Sequence, residues 1–172
     1  MDVLLQARNA VENEIRAAFR GVKLGRGISL RQAQLIDQDV DGNLHSESPT
    51  SGETTDDWAR VSRQELERDC IAHLDALGFR YYIPALMLDV LDYYDPSSMR
   101  VIGTLAGLYP KKNDSWEYHM QRYSLLNAEQ KTAIAQFLAE LPKLVELDVE
   151  DRKIVERALL NYWRQYLQTR NF

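Results

Sequence analysis

The sequence predicts an all-α fold, or nearly so: one compact domain over 1–172, with six to seven helices and at most one short strand pair. Three observations predict it. Apolar residues recur at three- and four-residue spacing over most of the chain. Ser or Asn followed three positions later by Glu or Gln marks the start of two of these runs. Glycine and proline fall where the runs end.

The first helix is expected over residues 2–20, with Leu4, Ala7, Val11, Ile15 and Ala18 on one face and Arg8, Glu12, Asn13 and Arg16 elsewhere. Gly21, Gly25 and Gly27 end it, and Ser29 caps a short second helix running to about Gln38. Residues 41–57 are rich in Ser, Thr, Asp, Gly and Pro without any period, which predicts a flexible surface loop. Structure resumes at Trp58. Ser62 and Glu65 match a capping box for a helix from Arg63 to Leu77, with Leu66, Cys70 and Leu74 as its apolar line and Gly78 as its left-handed C-terminal cap.

Phe79 to Ile83 is dense in strand formers and reads as a brief extended stretch. Ile83 is biased away from helical geometry by Pro84, which suits the first turn of a further helix with Leu86, Met87, Val90, Leu91 and Tyr94 inward. Ser97 or Ser98 starts a weaker helix to about Ala106. Residues 107–124 read as irregular and aromatic. Asn127 and Gln130 form a second capping box, before a helix that buries Ile134, Phe137, Leu138 and Leu141 and that Pro142 stops or kinks. The last helix is expected from Glu150 to Gln168. It carries two apolar lines, one through Val155, Ala158, Leu159, Tyr162 and Tyr166 and another through Leu160, Trp163 and Leu167, which suits a central position in the fold more than a face shared with a partner.

The chain has 172 residues, 45% hydrophobic and 27% charged, enough to bury a core without a disulfide or metal. Its net charge is −5, with Lys and Arg dispersed among acids, which argues against nucleic acid as a partner. A single cysteine, Cys70, permits no disulfide within the chain and makes the cytoplasm the expected location. The amino terminus lacks the pattern of a secretory signal, and no apolar run is long enough to cross a bilayer, so no membrane role is expected.

Three segments together resemble an uncharacterised bacterial domain family of unknown function. They are Gly78-Phe79-Arg80-Tyr81-Tyr82-Ile83-Pro84-Ala85, Tyr123-Ser124-Leu125-Leu126-Asn127-Ala128-Glu129-Gln130, and Ala158-Leu159 with Tyr162-Trp163. The resemblance covers nearly the whole chain. It implies one intact domain of bacterial type and carries over no established activity.

Among candidate sites, the Arg80 segment ranks first. On an extended stretch Arg80 and Tyr82 share one side, and Asp89 and Asp92 on the following helix are placed to pair with the guanidinium. The group reads as an ion pair fixing the turn, or as a seat for an anionic ligand or a partner's acid. Trp116 and Tyr118 form a second candidate, because aromatic residues on irregular segments favour interfaces. Asp37, Asp39 and Asp41 before Gly42 form a calcium candidate, although the loop has Ser48 where a bidentate glutamate is required. His45, His73 and His119 lack the spacing of a zinc site, and Cys70 on an apolar line reads as a buried hydrophobe rather than a nucleophile. There is no phosphate loop and no nucleophile elbow.

The function expected is therefore that of a non-enzymatic bacterial protein, an interaction or regulatory protein of immunity or antitoxin type. It would bind a protein partner, need no cofactor, and leave a homo-oligomer open. The alternative is an enzyme or ligand-binding module for a small anionic molecule at a cleft of Arg80, Tyr82, Asp89 and Asp92.

Overall fold

The computed structural model describes residues 2–39, 55–113 and 115–167. The described residues form eight α-helices and contain no strand. In order they are α1 (Val3–Ala18), α2 (Leu30–Gln38), α3 (Arg63–Leu66), α4 (Ala76–Tyr93), α5 (Met99–Gly107), α6 (Trp116–Tyr123), α7 (Ala128–Leu144) and α8 (Val149–Asn161). Single 3₁₀ turns at Trp58–Arg60, Ile71–His73 and Trp163–Tyr166 join them.

Helix α4 lies at the centre and touches α1, α5, α6 and α7. It is buried on nearly every side, through Phe79, Tyr81, Tyr82, Ile83, Leu86, Met87, Val90 and Leu91. The stretch expected to be extended is thus helical. Asp75 supplies the cap: its Oδ1 accepts from the Gly78 N–H at 2.8 Å, and also from the Ile28 N–H at 3.0 Å. Pro84 sits inside α4 rather than at its start. It has no N–H, so the Arg80 carbonyl loses its partner four residues on, at a cost of about 3 kcal/mol that burial of the surrounding aromatics outweighs.

Gly78 is not a C-terminal cap. It is the third residue of α4, where a Cβ would stand 2.3 Å from the Ile28 carbonyl oxygen. Glycine is present because two backbones cross there. The helix expected from Arg63 to Leu77 is correspondingly broken. It ends at Leu66, passes through Asp69 at φ 52°, and makes a 3₁₀ turn before Asp75. Ser62 still caps α3 through the Glu65 N–H at 3.1 Å, but the Glu65 carboxylate accepts from the Tyr82 hydroxyl.

Both other expected caps are present as full capping boxes, Ser29 with Gln32 on α2 and Asn127 with Gln130 on α7. Helix α7 carries Pro142 within it and continues to Leu144. Residues 107–124, expected to be irregular, contain α6. The last helix ends at Asn161, where Tyr162 leaves helical geometry at φ −147°. That break turns Trp163 fully inward, its indole N–H donating to the Leu108 carbonyl at 2.7 Å, while Leu160 stays 65% exposed. The expected second apolar line is therefore not a helical stripe. Apart from Thr55, Asp56 and Asp57, the loop expected over 41–57 lies outside the described residues.

The end of α1 meets the start of α7: Gln130 Nε2 donates to the Ala18 carbonyl at 3.3 Å. With extensive packing between them, the two helices run antiparallel. The buried apolar side chains form one contiguous cluster from Val11 to Trp163.

Candidate functional site

A helix turns by about 100° per residue. On α4, Arg80 and Asp89 are nine residues apart and so face opposite sides. Arg80 accordingly does not meet the two aspartates. Asp89 is buried and pairs with Arg100 (Nε to Oδ2, 2.7 Å), with Arg63 at 3.6 Å. Asp92 pairs with Arg8 across the α1–α4 contact. Arg80 is half-buried, its Nη1 3.4 Å from the Leu125 carbonyl and its Nε without a partner. Tyr82 lies seven residues before Asp89, on the same side of α4 and not on that of Arg80. It is fully buried, and its hydroxyl donates to Glu65 at 2.7 Å. Burial, then the Glu65 contact, raises its phenol pKa well above the ordinary range. The cleft expected from these four residues is not assembled.

Trp116 is half-buried, edge-on to Tyr162 with centroids 6.1 Å apart. Tyr118 is 40% exposed and donates its hydroxyl to the Ala72 carbonyl. The two rings do not form one open patch. Beside Tyr118 lies a residue that its sequence neighbourhood did not single out. Arg122 is 4% exposed, with its guanidinium 4.7 Å from the Phe79 ring centroid and 5.1 Å from that of Tyr118. It donates to the Ile71 carbonyl at 2.5 Å and to the Tyr118 hydroxyl at 3.2 Å, and its Nε is unpartnered. Desolvation lowers its pKa. Its helical spacing from Tyr118 was the available signal.

Of the calcium candidates, Asp37 is engaged with His73 Nε2 at 3.0 Å, and Asp41 lies outside the described residues, as does His45. His119 is buried with Nδ1 2.9 Å from the Ser115 carbonyl and Nε2 3.2 Å from that of Ala106. Cys70 is buried, and burial pushes its thiol pKa up, with the Asp37 and Asp69 charges adding to the effect. Among the described residues no three His, Cys, Asp or Glu side chains are grouped to hold a metal, and no helix is long and apolar enough to cross a membrane.

An open concavity lies elsewhere, where α1 ends against the 3₁₀ turn at Trp58. Trp58 is its floor, 4% exposed and fixed by an indole N–H donated to the Phe19 carbonyl at 2.8 Å. A hollow of about 570 Å³ opens on one side, between Arg16, Arg20 and Lys23 on one wall and Asp56, Asp57 and Arg60 on the other. A shallower one of about 160 Å³ continues past Arg16, Trp58 and Ala59 to Ala85, Leu88 and Tyr93. Because they share those three residues, the two make one open groove. Arg63 stacks over the Tyr93 ring at 3.9 Å at its far end, beside Asp89 and Asp92. The basic residues that line it come from segments far apart in the sequence, so no local motif announced them.

Fold and surface thus define a compact all-α protein with an open groove across a buried tryptophan. The chain belongs to the family of unknown function DUF6714, whose model matches residues 7–167. Comparison with curated proteins and with solved structures finds no match.

Proposed function

We propose that this is a non-enzymatic interaction protein that grips a protein partner along the groove past Trp58. One observation carries the reading: the groove is open along its length and is floored by a rigid, hydrogen-bonded tryptophan. Small-molecule sites enclose most of their ligand, whereas an open channel suits a chain segment laid across it. A bacterial origin and a cytoplasmic location belong to the same reading, supported by the single buried thiol.

The test is affinity capture from a native bacterial lysate with wild-type protein and with Arg60→Glu, an exposed position on the groove wall. Specific proteins recovered by wild type and depleted with the variant are expected. The same set in equal yield from both would remove the groove from the reading.

A further inference from the structure

We infer that the groove past Trp58 recognises an acidic polypeptide segment, its carboxylates lying over Arg16, Arg20, Lys23 and Arg60 and an apolar side chain seated against Ala85, Leu88 and Tyr93. This rests on the proposed function and names the chemistry of the partner.

The first observation is charge. The chain as a whole is acidic, with 26 acids against 21 basic residues. Arg16, Arg20, Lys23 and Arg60 share one concavity, and among the described residues none of them forms an ion pair. The acids of that hollow are Asp56 and Asp57. Asp57 is engaged, its Oδ1 accepting from the Ala59 N–H at 3.0 Å. Four cations against two acids, in a concavity with low-dielectric walls, concentrate a positive field in an otherwise acidic protein.

The second observation is shape. The cationic hollow runs into the shallower one across Trp58, where Ala85, Leu88 and the half-exposed Tyr93 ring offer an apolar seat. A small polyanion would use only the first hollow. A chain segment uses both, its acids over the cationic hollow and an apolar side chain past Trp58.

The experiment is a titration of ¹⁵N-labelled full-length protein with a short glutamate-rich peptide carrying one central leucine. The Trp58 indole N–H, distinct from those of Trp116 and Trp163, is the local reporter. Saturable shifts of that signal and of the amides around Arg20 are expected, weakening at least about fivefold between about 50 and 200 mM salt. Arg20→Gln with Lys23→Gln, both exposed, should leave the melting temperature unchanged and weaken binding about tenfold or more. Replacing the leucine by serine should weaken it further. Shifts spread over the whole surface, equal binding to the variant, or displacement of the peptide by equimolar pyrophosphate would each overturn the inference. If the peptide fails while Arg60→Glu still abolishes capture from lysate, the acidic chemistry is wrong and the groove stands. If both fail, the groove itself is wrong.

Discussion

Arg100 reaches across from α5 to hold Asp89 of α4 at 2.7 Å, and both side chains are almost entirely out of solvent. A buried carboxylate that loses its cation keeps its desolvation cost. Arg100→Ala is therefore expected to lower stability by about 3 kcal/mol, at the lower end of such losses because Arg63 remains within 3.6 Å. Asp89→Asn should cost less. Urea denaturation of the two variants gives the order, and equal losses would contradict it.

Two glycines should respond oppositely to their surroundings. At Gly78 a Cβ meets the Ile28 carbonyl at 2.3 Å, and neither backbone can retreat without breaking the Asp75 bonds that tie them. Gly78→Ala is expected to cost about 3 kcal/mol. Gly25 has φ +59° and open space around it, so Gly25→Ala should cost only about 1 kcal/mol, the price of a left-handed conformation. Thermal melts compare them directly.

Arg122 supplies a third test. Arg122→Lys loses the planar stacking on Phe79 and Tyr118 and buries a more strongly hydrated charge. Arg122→Met removes that charge, keeps most of the packing, and leaves the Ile71 carbonyl without its donor, at about 1–3 kcal/mol. The methionine variant is expected to be the more stable of the two. A more stable lysine variant would show that the charge itself is needed.

Stability should fall slightly as the solution leaves mild acid. The Asp151 carboxyl is held above its ordinary value of 3.8, by burial first, with the Tyr94 hydroxyl opposing and the Asp148 charge adding. Its native state then binds the proton more tightly than the unfolded chain. This contribution is largest below 3.8 and is lost as pH rises through the raised native value. Asp151→Asn should remove that part of the slope, read as unfolding free energies between about pH 3.5 and 7. A variant with the wild-type slope would place the effect elsewhere, Asp69 being the other carboxyl shifted the same way.

Helix starts written in local chemistry were legible. Ser29 before α2, Asn127 with Gln130 before α7, and Ser97 or Ser98 before α5 were readable from neighbouring residues. The α4 region was not, because its residues are dictated by burial on all sides: Phe79 to Ile83 are strand formers that a central helix also needs. Asp75 was the missed signal, a cap hidden inside a run that looked helical from Arg63 onward. The same misreading placed Arg80 beside Asp89 and Asp92, because alternation and helical turn give opposite faces at that spacing. The groove was illegible for a different reason. Arg16, Arg20, Lys23 and Arg60 become neighbours only once Trp58 is anchored on Phe19.

The last carbonyls of α1 are received by side chains from remote parts of the sequence, that of Phe19 by Trp58, 39 residues on, and that of Ala18 by Gln130, 112 residues on. Helix α1 thus keeps frayed acceptors at its end until Trp58 and then Gln130 have been folded against it. Its carboxy-terminal turn should consequently be among the last segments to gain amide-exchange protection during refolding, and the tryptophan floor becomes ordered only in that late step.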